Sequence, residues 1–203
     1  MKSNHSLIVT LTSMTRAPLV WLVIGLSSLT FFMISTQGLE SLSAWFMPEA
    51  LDDWFALTSI WRLWTPMFIH YTVLHWATNV YLWWSFASKL EAQSRIELLS
   101  VTLFTAAGGN FCQWWMQGPN FGGLSGVAYG LMAYLWLMNR YGARESYRID
   151  NILASLMLCL IPLSFVELEL QLASYAHLGG LAFGAFMAMA TIDLKRRSQK
   201  VLR

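Results

Sequence analysis

Apolar residues fall into six runs along the chain, separated by short polar or glycine-rich stretches. The runs cover about Ala17 to Thr36, Met67 to Ser88, Ile96 to Met116, Ser125 to Asn139, Ile149 to Leu168 and Ser174 to Ile192. Five approach the roughly 20 residues an α-helix needs to cross a hydrocarbon core. The fourth is shorter. Its 15 residues from Ser125 to Asn139 reach roughly 22 Å as a helix, against a core of roughly 30 Å. It follows Gln117-Gly118-Pro119-Asn120-Phe121-Gly122-Gly123-Leu124, an uncharged and irregular stretch. Irregular backbone at membrane depth is tolerated only inside protein or beside a water-filled cavity. The pattern therefore predicts a helix that starts at Ser125, below the membrane surface. No internal repeat or low-complexity linker is visible. We expect one all-α membrane domain over residues 17–192, with a short segment 1–16 before it and a basic tail 193–203 after it.

Composition agrees with that environment. The chain has 203 residues, 56% hydrophobic and 12% charged, far from a soluble globular mix. Its 11 tryptophans mostly sit near the ends of apolar runs, as in the aromatic belts of embedded helices. A net charge of +2 gives no reason to expect nucleic acid. Cys112 and Cys159 both lie inside apolar runs, which predicts small buried side chains rather than a disulfide framework. No small-residue cleavage pattern follows the first run, so it reads as an uncleaved span.

Of the 13 lysines and arginines, Arg62 alone falls on one side of the expected bundle. The positive-inside rule then places both termini in the cytoplasm. Glu40, Glu49, Asp52, Asp53, Glu167 and Glu169 fall on the opposite side, which would face the periplasm or another exterior space. The loop from Gln37 to Pro66 carries Trp45, Phe46, Met47, Trp54, Phe55, Trp61 and Trp64. So many aromatics predict a partly embedded loop with short amphipathic helices. Whether it serves as an anchor or in substrate entry stays open.

Candidate chemistry starts with Ser125, in Gly122-Gly123-Leu124-Ser125-Gly126. Serine is a weak nucleophile without a base and an oxyanion site. A helix N-terminus offers free amides and the positive dipole end. By themselves, Ser125, Gly126 and Gly130 fit a close helix contact equally well. The sixth run adds Ala176-His177-Leu178-Gly179-Gly180 and Gly184, with His177, Gly180 and Gly184 on one face. An ionisable group inside a span points to function, although a buried structural histidine is the plain alternative. Glycines on both helices would let the backbones approach and bring His177 to Ser125. Tyr129, four residues on, can pack against the imidazole. His75 and Asn79 are i,i+4 neighbours that can donate to an oxyanion together with the Ser125 amide. His70, five residues before His75, points elsewhere on a helix and reads as a tether. A zinc site is disfavoured, because the i,i+5 histidines chelate poorly, HExxH is absent, and Glu91 falls at the other end of its helix.

Taken together, Trp61-Arg62, His70, His75, Asn79, Glu91, Gln113, Gly122-Gly123-Leu124-Ser125-Gly126, Tyr129 and Ala176-His177-Leu178-Gly179-Gly180 with Gly184 resemble the rhomboid family of intramembrane serine proteases. The resemblance runs from about Trp61 to Ile192. It implies a six-transmembrane-helix rhomboid bundle, with Ser125 as nucleophile and His177 as base, without a third acidic member, a cofactor or a metal. It implies an oxyanion hole from His75 and Asn79, and support from Gly123, Gly126, Tyr129, Gly180, Gly184 and His70. It assigns Arg62 and Glu91 structural hydrogen bonds in their loops. The implied substrates are membrane proteins cut near the outer ends of their transmembrane helices, with no obligatory partner subunit. The implied place is the bacterial inner membrane, with the active site opening toward the periplasm. The second and fifth helices would flank lateral entry, where Pro162 or Phe165 can loosen the fifth.

Two departures stand out. About sixteen residues precede the first helix, as in a minimal six-helix form. Arg95 occupies the turn after Glu91 where relatives often place glycine. Rival functions are a rhomboid-like protein that binds transmembrane helices without cutting them, and a small transporter. A transporter is expected to show paired intramembrane charges or inverted repeats, and neither is present in the sequence.

Overall fold

The computed structural model describes residues 16–49, 57–165 and 173–201. Lys2, Asp52, Asp53, Trp54, Phe55, Glu167, Glu169 and Arg203 lie outside the described residues. The described chain is helical, with no strand among the described residues. Its long helices are α1 (Pro18–Gln37), α2 (Val73–Glu91), α3 (Arg95–Gln117), α4 (Ser125–Tyr141), α5 (Asn151–Leu163) and α6 (Ser174–Val201).

Local chemistry sets most boundaries. Pro18 opens α1, where its missing N–H costs nothing, and Gly38 at φ 82° ends it. The apolar run read from Met67 becomes helical only at Val73. Thr65–Phe68 is a separate 3₁₀ turn, and the Thr72 side chain then caps α2 by accepting from the His75 amide at 3.1 Å. Ser94 caps α3 through the Glu97 amide. Asp150 caps α5 through the amides of Ile152 and Leu153. Helix α6 continues past Ile192 to Val201, helped by an Asp193–Arg197 ion pair one turn apart at 2.8 Å.

By length and composition, Pro18–Gln37 and Ser174–Ser198 are apolar enough to cross a membrane unaided. Helices α4 and α5 are short, at 17 and 13 residues. Helices α2 and α3 are diluted by the buried polar groups Asn79, Thr102, Thr105, Asn110 and Gln113.

Helix α4 is the centre of the molecule, burying Leu131, Leu135 and Met138 completely. It packs most extensively on α6, and α3 packs on both. The α4–α6 seam is glycine against glycine. A Cβ at Gly126 would come 3.0 Å from the Ala176 carbonyl oxygen, and one at Gly180 or Gly184 would overlap the carbonyl of Gly126 or Gly130. Only hydrogen fits there. Helix α5 is attached sparsely, chiefly to α6.

The loop after α1 forms short 3₁₀ helices at Leu39–Trp45 and Leu57–Leu63. It docks on α3 through Asn110 Nδ2 to the Leu63 carbonyl and Trp114 Nε1 to the Pro48 carbonyl. At the other end of the bundle Glu97 accepts from Arg144 at 2.9 Å and from Tyr134 and Tyr147, tying the α4–α5 loop to α3.

Candidate active site

Ser125 is the first residue of α4 and follows Leu124, which offers no side-chain cap. The amides of a helix's first turn have no carbonyl one turn earlier to bond, so they remain available beside the hydroxyl. The preceding loop is held by the Gly123 amide donating to the Pro66 carbonyl at 3.0 Å. Gly123 itself sits at φ 126°, a conformation that a side chain would strain.

His177 lies one turn into α6 and is almost fully buried. Its Nε2 is 2.8 Å from Ser125 Oγ. Its Nδ1 is buried and meets no hydrogen-bond partner among the described residues. With the proton on Nδ1, Nε2 is free to accept from the serine hydroxyl. The Tyr129 ring packs on the imidazole at 4.6 Å between centroids, while its hydroxyl donates to the Met157 carbonyl on α5 at 2.6 Å.

On the other side of the serine, His75 and Asn79 project from α2 toward Gly123. A Cβ on Gly123 would sit 2.7 Å from His75 Nε2 and 3.6 Å from Asn79 Oδ1. Both side chains thus border the loop that leads into Ser125. Asn79 Nδ2 donates to the His75 carbonyl at 2.7 Å, leaving its second N–H for another acceptor. His70 is buried before α2, with Nδ1 3.0 Å from the Phe68 carbonyl and its ring 5.0 Å from that of His75.

The remaining named residues lie apart from the serine. Glu91 ends α2 and accepts from the amides of Leu19 and Val20, each at 2.9 Å. It thereby caps α1, where a negative charge suits the dipole. Arg95 opens α3 with its Nε 3.6 Å from Glu91 Oε1, so the turn accommodates it without glycine. Arg62 Nε is buried without a hydrogen-bond partner among the described residues.

Gln113 had no assigned role in the sequence. Its Oε1 accepts from the amides of Tyr175 and Ala176 at 3.0 and 3.1 Å, just before His177. Its Nε2 is anchored on Gln117. The signal available was a buried amide in an apolar helix, which needs bonding partners. Ser174 adds a bond to the Ser164 carbonyl, joining the facing ends of α5 and α6.

Residues 57–194 match the Rhomboid domain family. The chain is similar to the rhomboid protease GlpG of Salmonella newport (strain SL254) and of Salmonella typhimurium (strain LT2), 27% identical over 184 residues in each case. The alignment covers 89% of this chain and 66% of each relative's length. With the family matched over more than half of its length, this chain belongs to the rhomboid family.

Proposed function

We propose that this protein is an intramembrane serine endopeptidase that hydrolyses peptide bonds in or near the transmembrane helices of other membrane proteins. The observation that carries this reading is the 2.8 Å approach of Ser125 Oγ to His177 Nε2, at a helix start bordered by His75 and Asn79. Similarity to proteins named rhomboid protease GlpG supports it.

In this reading Ser125 Oγ attacks the scissile carbonyl carbon while its proton passes to His177 Nε2. The carbonyl oxygen becomes an oxyanion held by the Ser125 amide, His75 and Asn79. The intermediate collapses, His177 gives the proton to the leaving amine, and Ser125 carries the acyl ester. Water then loses a proton to His177 and attacks the ester, releasing the carboxylic acid and restoring the serine. Among the described residues no acid partners the imidazole, and in this reading Tyr129 packing and the close seam keep the ring oriented.

The six long helices are read as six spans, with both termini at the basic, cytoplasmic side of a bacterial inner membrane. Ser125 then opens toward the periplasm. The substrate helix must unwind there, since a helical amide is shielded by its own hydrogen bonds. Sparse packing of α5 supports entry between α2 and α5.

The test is purified full-length protein in detergent with a substrate carrying one transmembrane helix. Ser125→Ala and His177→Ala should each abolish cleavage, with the double variant no worse than either. Cleavage that persists in Ser125→Ala refutes the assignment, and a native chain that binds the substrate without cutting it is a helix-binding protein. Asn79→Ala keeps the dyad and loses one donor, so kcat should fall by about 10²-fold or less. An unchanged kcat would remove Asn79 from the oxyanion site.

A further inference from the structure

Helix α5 stands off from the bundle, and the gap on its α4 and α6 side is a groove of about 480 Å³. Met132 and Ala133 of α4, Leu158 of α5, and Leu181 and Ala185 of α6 form its apolar part. Asn151 and Ser155, one turn apart on α5, line the same groove nearer its basic end. Arg140 follows the lining residue Trp136 by one turn, and Arg148 adjoins the lining residue Ile149. Both arginines are exposed, and among the described residues neither pairs with a carboxylate. The nearby Asp150 is engaged in capping α5.

Polarity thus grades along the groove from charged, through neutral polar, to apolar. A phospholipid has the same order: phosphate, glycerol esters, acyl chain. The charged end selects an anionic headgroup. The stretch from Asn151 to Leu158 is about 10 Å long at 1.5 Å per residue. The groove is open along one side, so a rod of about that length can enter it from the surrounding apolar phase. An acyl chain is slim enough.

We propose that this groove binds one anionic phospholipid of the adjoining leaflet, its acyl chain between α4, α5 and α6 and its phosphate at Arg140 and Arg148. The inference needs only that the bundle lies in a bilayer, and it does not depend on the catalytic assignment. A lipid seated there would hold α5 where side-chain packing does not.

Native mass spectrometry of the full chain, titrated with dioleoylphosphatidylglycerol and dioleoylphosphatidylcholine, provides the test. Phosphatidylglycerol should bind roughly tenfold more tightly, as expected for two basic side chains near the headgroup. The pair Arg140→Gln and Arg148→Gln should erase that preference while keeping a bound lipid. Ala185→Phe, which fills the groove, should lose both lipids. The arginine pair lies on the surface and gives an independent reading if the filled variant does not fold. Equal affinity for the two lipids in the native chain overturns the proposal. So does undiminished binding in folded Ala185→Phe, or release of the lipid by an uncharged transmembrane peptide, which would make the groove a helix site.

Discussion

The seam between α4 and α6 and the flank along α5 are built on opposite plans. At the seam, backbone meets backbone, and Gly126 against Gly180 and Gly130 against Gly184 leave no room for a methyl group. Along α5, Leu156 and Leu160 are exposed on one face, Leu158 lines the groove on another, and gaps open on both sides of the helix. The seam holds Ser125 Oγ and His177 Nε2 at hydrogen-bond distance, a geometry that a shift of about 1 Å would spoil. The α5 flank holds neither of these atoms. Close packing is concentrated at the Ser125–His177 pair, and sparse packing lies on the flank proposed above for substrate entry.

Breaking the seam should give the largest effect. Gly180→Val forces α4 and α6 apart at the Gly126 carbonyl, and overpacking of this kind costs about 3 kcal/mol. Melting temperature and turnover should fall together, because the same displacement pulls His177 off Ser125. A variant that melts as the native chain does would show that the seam is not the clamp described here.

Much of this contrast was legible in the chain. Glycines at 126, 130, 180 and 184 marked the seam, since their spacing puts each pair on one helical face. Ser125 at the start of a short apolar run marked the first residue of α4, because the irregular, glycine-rich stretch before it cannot continue a helix. The attachment of α5 was not legible. Its sequence, Asn151–Leu163, is as apolar as that of a packed helix, and only the placement of its neighbours reveals the gaps. The start of α2 was misread by six residues, since apolar character continues through Met67, Phe68 and Ile69 while the Thr72 cap decides the boundary. The work of Gln113 was hidden for a related reason. Its partners are backbone amides 62 and 63 residues away, and backbone amides leave no mark in a sequence.

Gln113 sharpens the comparison at intermediate strength. Gln113→Ala leaves the amides of Tyr175 and Ala176 without their acceptor, at a cost of about 1–3 kcal/mol for buried donors. The start of α6 should loosen, lowering kcat and slowing fluorophosphonate labelling of Ser125 while KM stays near its native value. Gln113→Glu retains an acceptor for both amides and should recover part of the labelling rate. Equal losses in the two variants, or a change confined to KM, would mean that Gln113 does not position His177.

The smallest effect belongs to the bond that joins the two regions. Tyr129 lays its ring on His177 and donates its hydroxyl to the Met157 carbonyl of α5. Tyr129→Phe keeps the ring and removes the hydroxyl, and a typical net hydrogen bond contributes about 1 kcal/mol. The Met157 carbonyl already has a bond within its own helix to share, so little desolvation penalty follows. Since the imidazole keeps its packing, turnover should stay within about threefold of native. The amides of α5 should exchange hydrogen faster, while those of α4 and α6 remain as protected as before, because local opening follows local packing. Hydrogen exchange read by mass spectrometry on peptides from 151–163 and 125–141 separates the two. Faster exchange in both would show that α5 and the seam form one cooperative unit, and the division between a rigid site and a loose flank would fail.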